Sequence, residues 1–208
     1  MSLKASDVVN VALKYRGVKE NPPNSNNVIF NTRYYGHPVY DANAYPWCVT
    51  FLWAIFDEAG ASSLFYGGGK TASCSSLFGY YRNKGQTVDK TRGQTGDLVF
   101  MNFDGGTTTE HAGIIVSRNS DGSYTTVEGN TSGPSGSQDN GGIVYQKTRY
   151  IRNIVGLARP QYSDIGQVII PPYNPGGSGG GISGLCLSIV TGKQIGRASC
   201  RERVLRLV

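Results

Sequence analysis

The hydrophobic period of this chain changes once, at Gly96, and that change constrains the fold more than any other feature. Before Gly96, apolar residues recur at spacings of three and four; after it, short β-branched and aromatic runs alternate with turn residues. Ser6-Asp7 ahead of Val8, Val9, Ala12 and Leu13 predicts a capped helix ending near Gly17. A second helix starts around Pro46, with Cys48, Leu52, Ile55, Phe56 and Ala59 on one stripe and Gly60 as its stop. A third, shorter one is predicted over residues 71–81. Between the first two, residues 21–27 and Tyr34-Tyr-Gly-His-Pro read as a polar, turn-rich stretch with aromatic punctuation. Beyond Gly96, residues 97–101, 111–117, 124–130, 142–148 and 151–158 read as strands, with Asn119-Ser-Asp-Gly-Ser as a hairpin turn. Helices first and strands afterwards predict an α+β fold, N-terminal helices packed on an antiparallel sheet.

Composition narrows the partners. The charge of +6 suggests an anionic ligand, but residues 1–175 carry fifteen Lys/Arg against thirteen Asp/Glu, and the last 22 residues carry five against one. The body is nearly neutral, with no basic stripe to follow a phosphate backbone, so nucleic acid is not expected as a partner. No run of about eighteen apolar residues predicts a membrane span, and the N-terminus has no apolar secretory core. Residues 1–163 read as one catalytic-size domain, and residues 164–184, rich in Pro and Gly, as a linker. Residues 185–208 read as a non-native or truncated tail, because Gly192-Lys-Gln-Ile-Gly-Arg-Ala-Ser-Cys-Arg-Glu-Arg-Val resembles a translated sequencing adapter. The four cysteines, Cys48, Cys74, Cys186 and Cys200, form no Cys-x-x-Cys pair, which excludes a compact zinc knuckle. Cys48 and Cys74 are expected as free thiols, with a disulfide between them as the alternative.

The chemistry concentrates at Pro46-Trp47-Cys48. A cysteine in the first turn of a helix gains from the helix dipole and the unpaired backbone N–H groups, which favour thiolate over thiol. Those N–H groups can also receive an oxyanion during acyl transfer. A bland alternative is a small buried hydrophobe, the commoner fate of a cysteine. His111 opens a strand after a long polar loop, which would leave its ring near a surface cleft, and its small neighbours Ala112 and Gly113 leave room for a substrate chain. His37, in a loop, is the weaker candidate for a base. Glu128 and Asn130 are two apart on a predicted strand and so share a face. Either could hold the imidazole towards Cys48.

Four segments carry a family resemblance: Ala44-Tyr-Pro-Trp-Cys-Val-Thr-Phe-Leu-Trp, Thr95-Gly-Asp-Leu-Val-Phe, Glu110-His-Ala-Gly-Ile-Ile-Val and Val127-Glu-Gly-Asn. Together they resemble the CHAP family of cysteine, histidine-dependent amidohydrolases/peptidases, over about residues 5–160. The resemblance implies a papain-like (NlpC/P60-type) α+β fold and cleavage of amide or peptide bonds in bacterial peptidoglycan. It implies Cys48 as nucleophile, His111 as base, Glu128 as the residue orienting the imidazole, and Asn130 as a further polar group sharing that role or binding the oxyanion. Asp97 is expected to be structural. Tyr45, Trp47 and Tyr35, with Tyr34, are expected to line the substrate groove. No cofactor is expected. Some members bind calcium through an Asp-x-Asp loop before the cysteine; here that region reads Asn24-Ser-Asn-Asn and Asp41-Ala-Asn, so no metal is expected. A phage endolysin or tail-associated lysin, made without a signal peptide and acting at the cell wall, fits these features, with a wall-binding domain lost from the C-terminus. A non-catalytic wall-binding module and a transacylase using the same residues are the alternatives.

Overall fold

The computed structural model describes residues 2–138 and 140–172. Among the described residues, four α-helices, α1 (Ala5–Lys14), α2 (Ile29–Tyr35), α3 (Cys48–Glu58) and α4 (Cys74–Asn83), precede six strands. These are β1 (Thr87–Val88), β2 (Leu98–Met101), β3 (His111–Arg118), β4 (Tyr124–Thr131), β5 (Ile143–Arg149) and β6 (Ile154–Ala158). They form one antiparallel sheet in the order β1-β6-β2-β3-β4-β5. The architecture is α+β, as the change of period implies.

Strand alternation assigns the two faces of the sheet. Leu98 and Phe100 of β2, Ala112, Ile114 and Val116 of β3, and Val127 of β4 join the main core with α1, α3 and α4. Val99, Met101, Ile115, Tyr124, Ile154 and Leu157 form a smaller cluster on the opposite face, with Phe103 against it. By the same alternation His111 and Gly113 of β3, and Thr126 and Glu128 of β4, belong to the second face.

Helix α3 is buried almost all round rather than along one stripe: Val49, Phe51, Leu52, Ala54, Ile55 and Phe56 are all inaccessible. It lies between α1, α2 and the strands β3 and β4, so it has little solvent face to make polar. Gly60, in the left-handed region at φ 69°, ends it as expected. Helix α1 begins earlier than its Ser6-Asp7 signal. Lys4 occupies the cap, Asp7 accepts the Lys4 backbone N–H at 2.9 Å, and Ser6 is buried inside the helix. Helix α2 falls in the stretch expected to be turn-rich. It is short, and Phe30 anchors it by stacking on Trp47 at 5.7 Å. The first residues of the segment expected as a linker from residue 164 contact α1. The backbone N–H groups of Ala5 and Ser6 donate to Asp164 and Ile165, and Asn10 pairs with Gln167 and Ile169, so this strip lies along α1. Residues 173–184 of that linker, the tail, Cys186 and Cys200 lie outside the described residues.

Candidate active site

The approach to Cys48 is held by buried amides. Asn26 donates to the carbonyls of Asp41 (2.9 Å) and Ala44 (2.6 Å), and Asn31 donates to those of Asn26 and Tyr45, each at 2.9 Å. Thr50, in the first turn of α3, donates to Asn31 Oδ1 at 2.7 Å and ties the loop to the helix. Tyr45 thereby adopts a left-handed backbone (φ 62°), a strained state that persists where the surroundings over-determine it. The Asn-rich segment, expected as turns, is the scaffold that aims the helix start.

Trp47 does not line a groove. It is fully buried, stacked on Phe30, and its indole N–H donates to Glu20 Oε1 at 2.7 Å. A large apolar ring with one satisfied donor belongs in the core, and Glu20, 27 residues earlier, supplies the acceptor that makes burial possible. Tyr45 stays more than one-third exposed, and Tyr35 packs edge-on against it at 5.0 Å, so this pair stays near the surface. Tyr34 sits against Tyr35 and Trp53. His37 is exposed in its loop.

Cys48 is the first residue of α3. Its thiol is pulled well below the ordinary cysteine value, first by a hydrogen bond from Cys74, against the opposing effect of burial, then by His111 and by the backbone N–H of Ala112. The α3 dipole acts in the same sense. Cys74 opens α4 behind its Ser73 cap, and its sulfur lies 3.6 Å from that of Cys48. Donation to Cys48 and burial push the Cys74 thiol well above its ordinary value. Both cysteines are free, as expected.

The His111 ring is fully buried rather than poised at a surface, because Glu128 draws it in. Nε2 donates to Glu128 Oε2 at 3.0 Å, leaving Nδ1 as the nitrogen available to Cys48. Among the described residues, Nδ1 has no hydrogen bond of ordinary geometry. Burial works against the charged imidazole, but Cys48 and then Glu128 outweigh it and raise His111 to about 9. Both shifts act in the direction of a thiolate–imidazolium pair.

Glu128 accepts far more than the imidazole. Arg149 reaches it twice, Nε to Oε1 at 2.7 Å and Nη2 to Oε2 at 2.5 Å, and Thr126 Oγ1 donates to Oε1 at 2.5 Å. Burial raises the carboxyl, but Arg149 and then His111 bring it down to about 2. Arg149 is itself 5% exposed, stacked 4.8 Å over Phe103 and bonded to Gln138. Gly113 gives Glu128 its place. A Cβ there would come 2.6 Å from Glu128 Cγ, so the small residue leaves room for this side chain and not for a substrate.

Asn130 is buried, but alternation does not pair it with Glu128. The β4–β5 register shifts between Glu128 and Thr131, and Asn130 takes a left-handed backbone at φ 56°. A bulge of this kind re-aims the side chain, as bulges beside sites commonly do. Asp97 lies outside the site, bound by Arg159 at the join of β2 and β6. Arg149 and Thr126 carry no sequence signal of their own, and the sequence brings Cys74 in only as an alternative disulfide partner of Cys48. Arg149 lies one residue past a predicted strand and 21 after Glu128, Cys74 lies inside a predicted helix and 26 after Cys48, and Thr126 lies within a predicted strand, so no element boundary marked them. Among the described residues, no group of three or more His, Cys, Asp or Glu is placed to hold a metal ion, and no helix is long and apolar enough to cross a membrane.

A family model described as CHAP domain matches residues 40–130, from the loop ahead of Cys48 to Asn130. No curated protein and no solved structure matches the chain.

Proposed function

With residues 40–130 matching the CHAP domain, a family of amidase- and peptidase-type peptidoglycan hydrolysis on a papain-like α+β fold, we propose that Cys48, His111 and Glu128 cleave an amide bond of bacterial peptidoglycan by thiol acyl transfer. The observation that carries this reading is the buried 3.0 Å bond from His111 Nε2 to Glu128, which directs Nδ1 to a cysteine at a helix start.

The Cys48 thiolate attacks the amide carbonyl, forming the carbon–sulfur bond as the carbonyl π electrons move to oxygen. The Cys48 backbone N–H, unpaired in the first turn of α3, receives that oxyanion, and Asn130 is the further candidate donor. His111 passes its Nδ1 proton to the nitrogen, and the amine leaves. The neutral imidazole then takes a proton from water, whose oxygen attacks the thioester and releases Cys48. Glu128 keeps the ring oriented throughout and balances its charge, and Arg149 and Thr126 fix Glu128. Tyr45 and Tyr35 offer the surface on which stem peptide or sugar rests. The partner on this reading is bacterial peptidoglycan, met at the cell wall after release by a phage or on its virion.

Purified peptidoglycan incubated with the chain should release new amine and acyl termini, and mass spectrometry of the fragments will identify the bond. Cys48→Ala should release none. Equal release by Cys48→Ala would overturn the assignment.

A further inference from the structure

The proposed hydrolysis makes no use of Cys74, yet this residue touches the nucleophile. Cys48 and Cys74 each begin a helix, α3 and α4, and their sulfurs are 3.6 Å apart. A disulfide holds its sulfurs about 2.0 Å apart, so bonding needs a further approach of roughly 1.5 Å, of the size a χ1 adjustment provides. The two lie on separate elements, 26 residues apart in the chain, so this contact is made by the fold and not by local sequence. The contact and its surroundings favour the thiolate at Cys48 and the protonated thiol at Cys74. A thiolate is the form that peroxides oxidise, and a thiol beside it is the group that resolves the product.

We propose that Cys48 and Cys74 form an oxidative modification site, in which a hydroperoxide converts the pair to a disulfide that reversibly switches hydrolysis off. The Cys48 thiolate attacks the peroxide oxygen: a sulfur–oxygen bond forms, the O–O bond breaks, and hydroxide leaves. Cys48 is now a sulfenic acid, oxidised by two electrons, and the peroxide is reduced. The Cys74 sulfur attacks the Cys48 sulfur, the sulfur–sulfur bond forms, and the departing hydroxide takes the Cys74 proton as water. Without Cys74, a second and third peroxide would carry Cys48 to the sulfinic and sulfonic acids, which thiols do not reverse. With it, a dithiol reductant restores both cysteines. The loss of hydrolysis rests on Cys48 being the nucleophile; the disulfide does not.

The test treats the full chain with hydrogen peroxide, blocks remaining thiols, and maps peptides without reduction. Hydrolysis of purified peptidoglycan is measured before and after dithiothreitol, and Cys74→Ser is run in parallel against its own untreated activity. The wild-type chain should yield Cys48 and Cys74 peptides joined with the loss of two hydrogens. Its hydrolysis should fall roughly tenfold or more and return with dithiothreitol. In Cys74→Ser, Cys48 should carry added oxygens, and dithiothreitol should restore little. Sulfinic or sulfonic Cys48 as the main wild-type product would overturn the proposal, as would a Cys48 link to Cys186 or Cys200. Equal recovery by Cys74→Ser would do the same. A disulfide that forms while hydrolysis persists overturns the switch through the nucleophile assignment, not through the chemistry of the pair. The mapping arm reads the pair even in a preparation that hydrolyses nothing.

Discussion

Two buried carboxylates in this sheet each receive two nitrogens of one arginine, and their acidities move in opposite directions. Asp97, at the entry to β2, is bound by Arg159 through two contacts of 2.8 Å, yet burial keeps its carboxyl above the ordinary value. Glu128, on β4, is bound by Arg149 and brought down to about 2. The Arg159 side chain is one-third exposed and spends part of its charge on water, whereas that of Arg149 is 6% exposed. Glu128 also faces a second cation, His111, and a hydroxyl donor, Thr126. The same pair of residue types thus serves two ends. Around Asp97 it ties β2 to β6; around Glu128 it holds an anion that orients an imidazole.

The sharpest way to break this contrast is to remove one charge at a time. Glu128→Gln should lower kcat/KM on purified peptidoglycan by about a hundredfold or more, since the imidazole loses its orienting anion. It should also lower stability to urea by about 3 kcal/mol, because Arg149 is left as a buried unpaired cation. Asp97→Asn should destabilise by about 1–3 kcal/mol while kcat/KM stays within about threefold. If Asp97→Asn inactivated the chain as strongly, the division of labour would fail.

Arg149→Met probes the next layer. Without its first donor, Glu128 should titrate at higher pH, moving the acid limb of the pH–rate profile upward, and neutral activity should fall about tenfold. An unchanged acid limb would show that Arg149 only packs.

Acid unfolding separates the two carboxylates by sign. The Glu128 value is depressed from 4.5 to about 2, so its contribution to stability is present above about pH 4.5 and is lost as pH falls towards 2. The Asp97 value is raised, so its contribution is present below its ordinary 3.8 and is lost as pH rises through the folded value. Glu128→Gln should therefore flatten the acid-side loss of stability and Asp97→Asn should steepen it, in urea melts run across that range. His111, raised from 6.5 to about 9, contributes stability fully below pH 6.5 that is lost as pH rises through about 9. Activity should fall along the same limb, because the leaving amine then lacks its acid.

Two glycines separate packing from orientation. Gly113→Ala would push into Glu128 Cγ, and Gly156→Ala into the Phe78 ring. Both should lose about 1–3 kcal/mol of stability by overpacking. Only Gly113→Ala should also lower kcat/KM, by about tenfold, since it alone moves the orienting acid.

The α+β order was legible from the change of period at Gly96, because β2, β3 and β4 are short β-rich runs with clear turns. Cys48, His111 and Glu128 were legible because a helix start and two adjacent strands leave local marks. What escaped notice lacked such marks. Helix α2 is built from Ile-Phe-Asn-Thr-Arg-Tyr-Tyr, weak helix formers stabilised by the packing of Phe30 on Trp47, and propensity yields to such tertiary contacts. The burial of Trp47 depends on Glu20, the depth of His111 on Glu128, and the acidity of Glu128 on Arg149. Each is a long-range pairing invisible to periodicity. The bulge at Asn130 defeats alternation for the same reason: one inserted residue changes the face.

On the proposed mechanism, Cys48 and His111 rest as thiolate and imidazolium over an anchored Glu128. Measuring the rate at which iodoacetamide alkylates Cys48 as a function of pH, with peptide mapping to separate it from Cys74, tests this directly. Alkylation should be fast well below the ordinary thiol range, with a second inflection near pH 9 as His111 deprotonates. A Cys48 rate that stays low until the ordinary thiol range, with no second inflection, would contradict it.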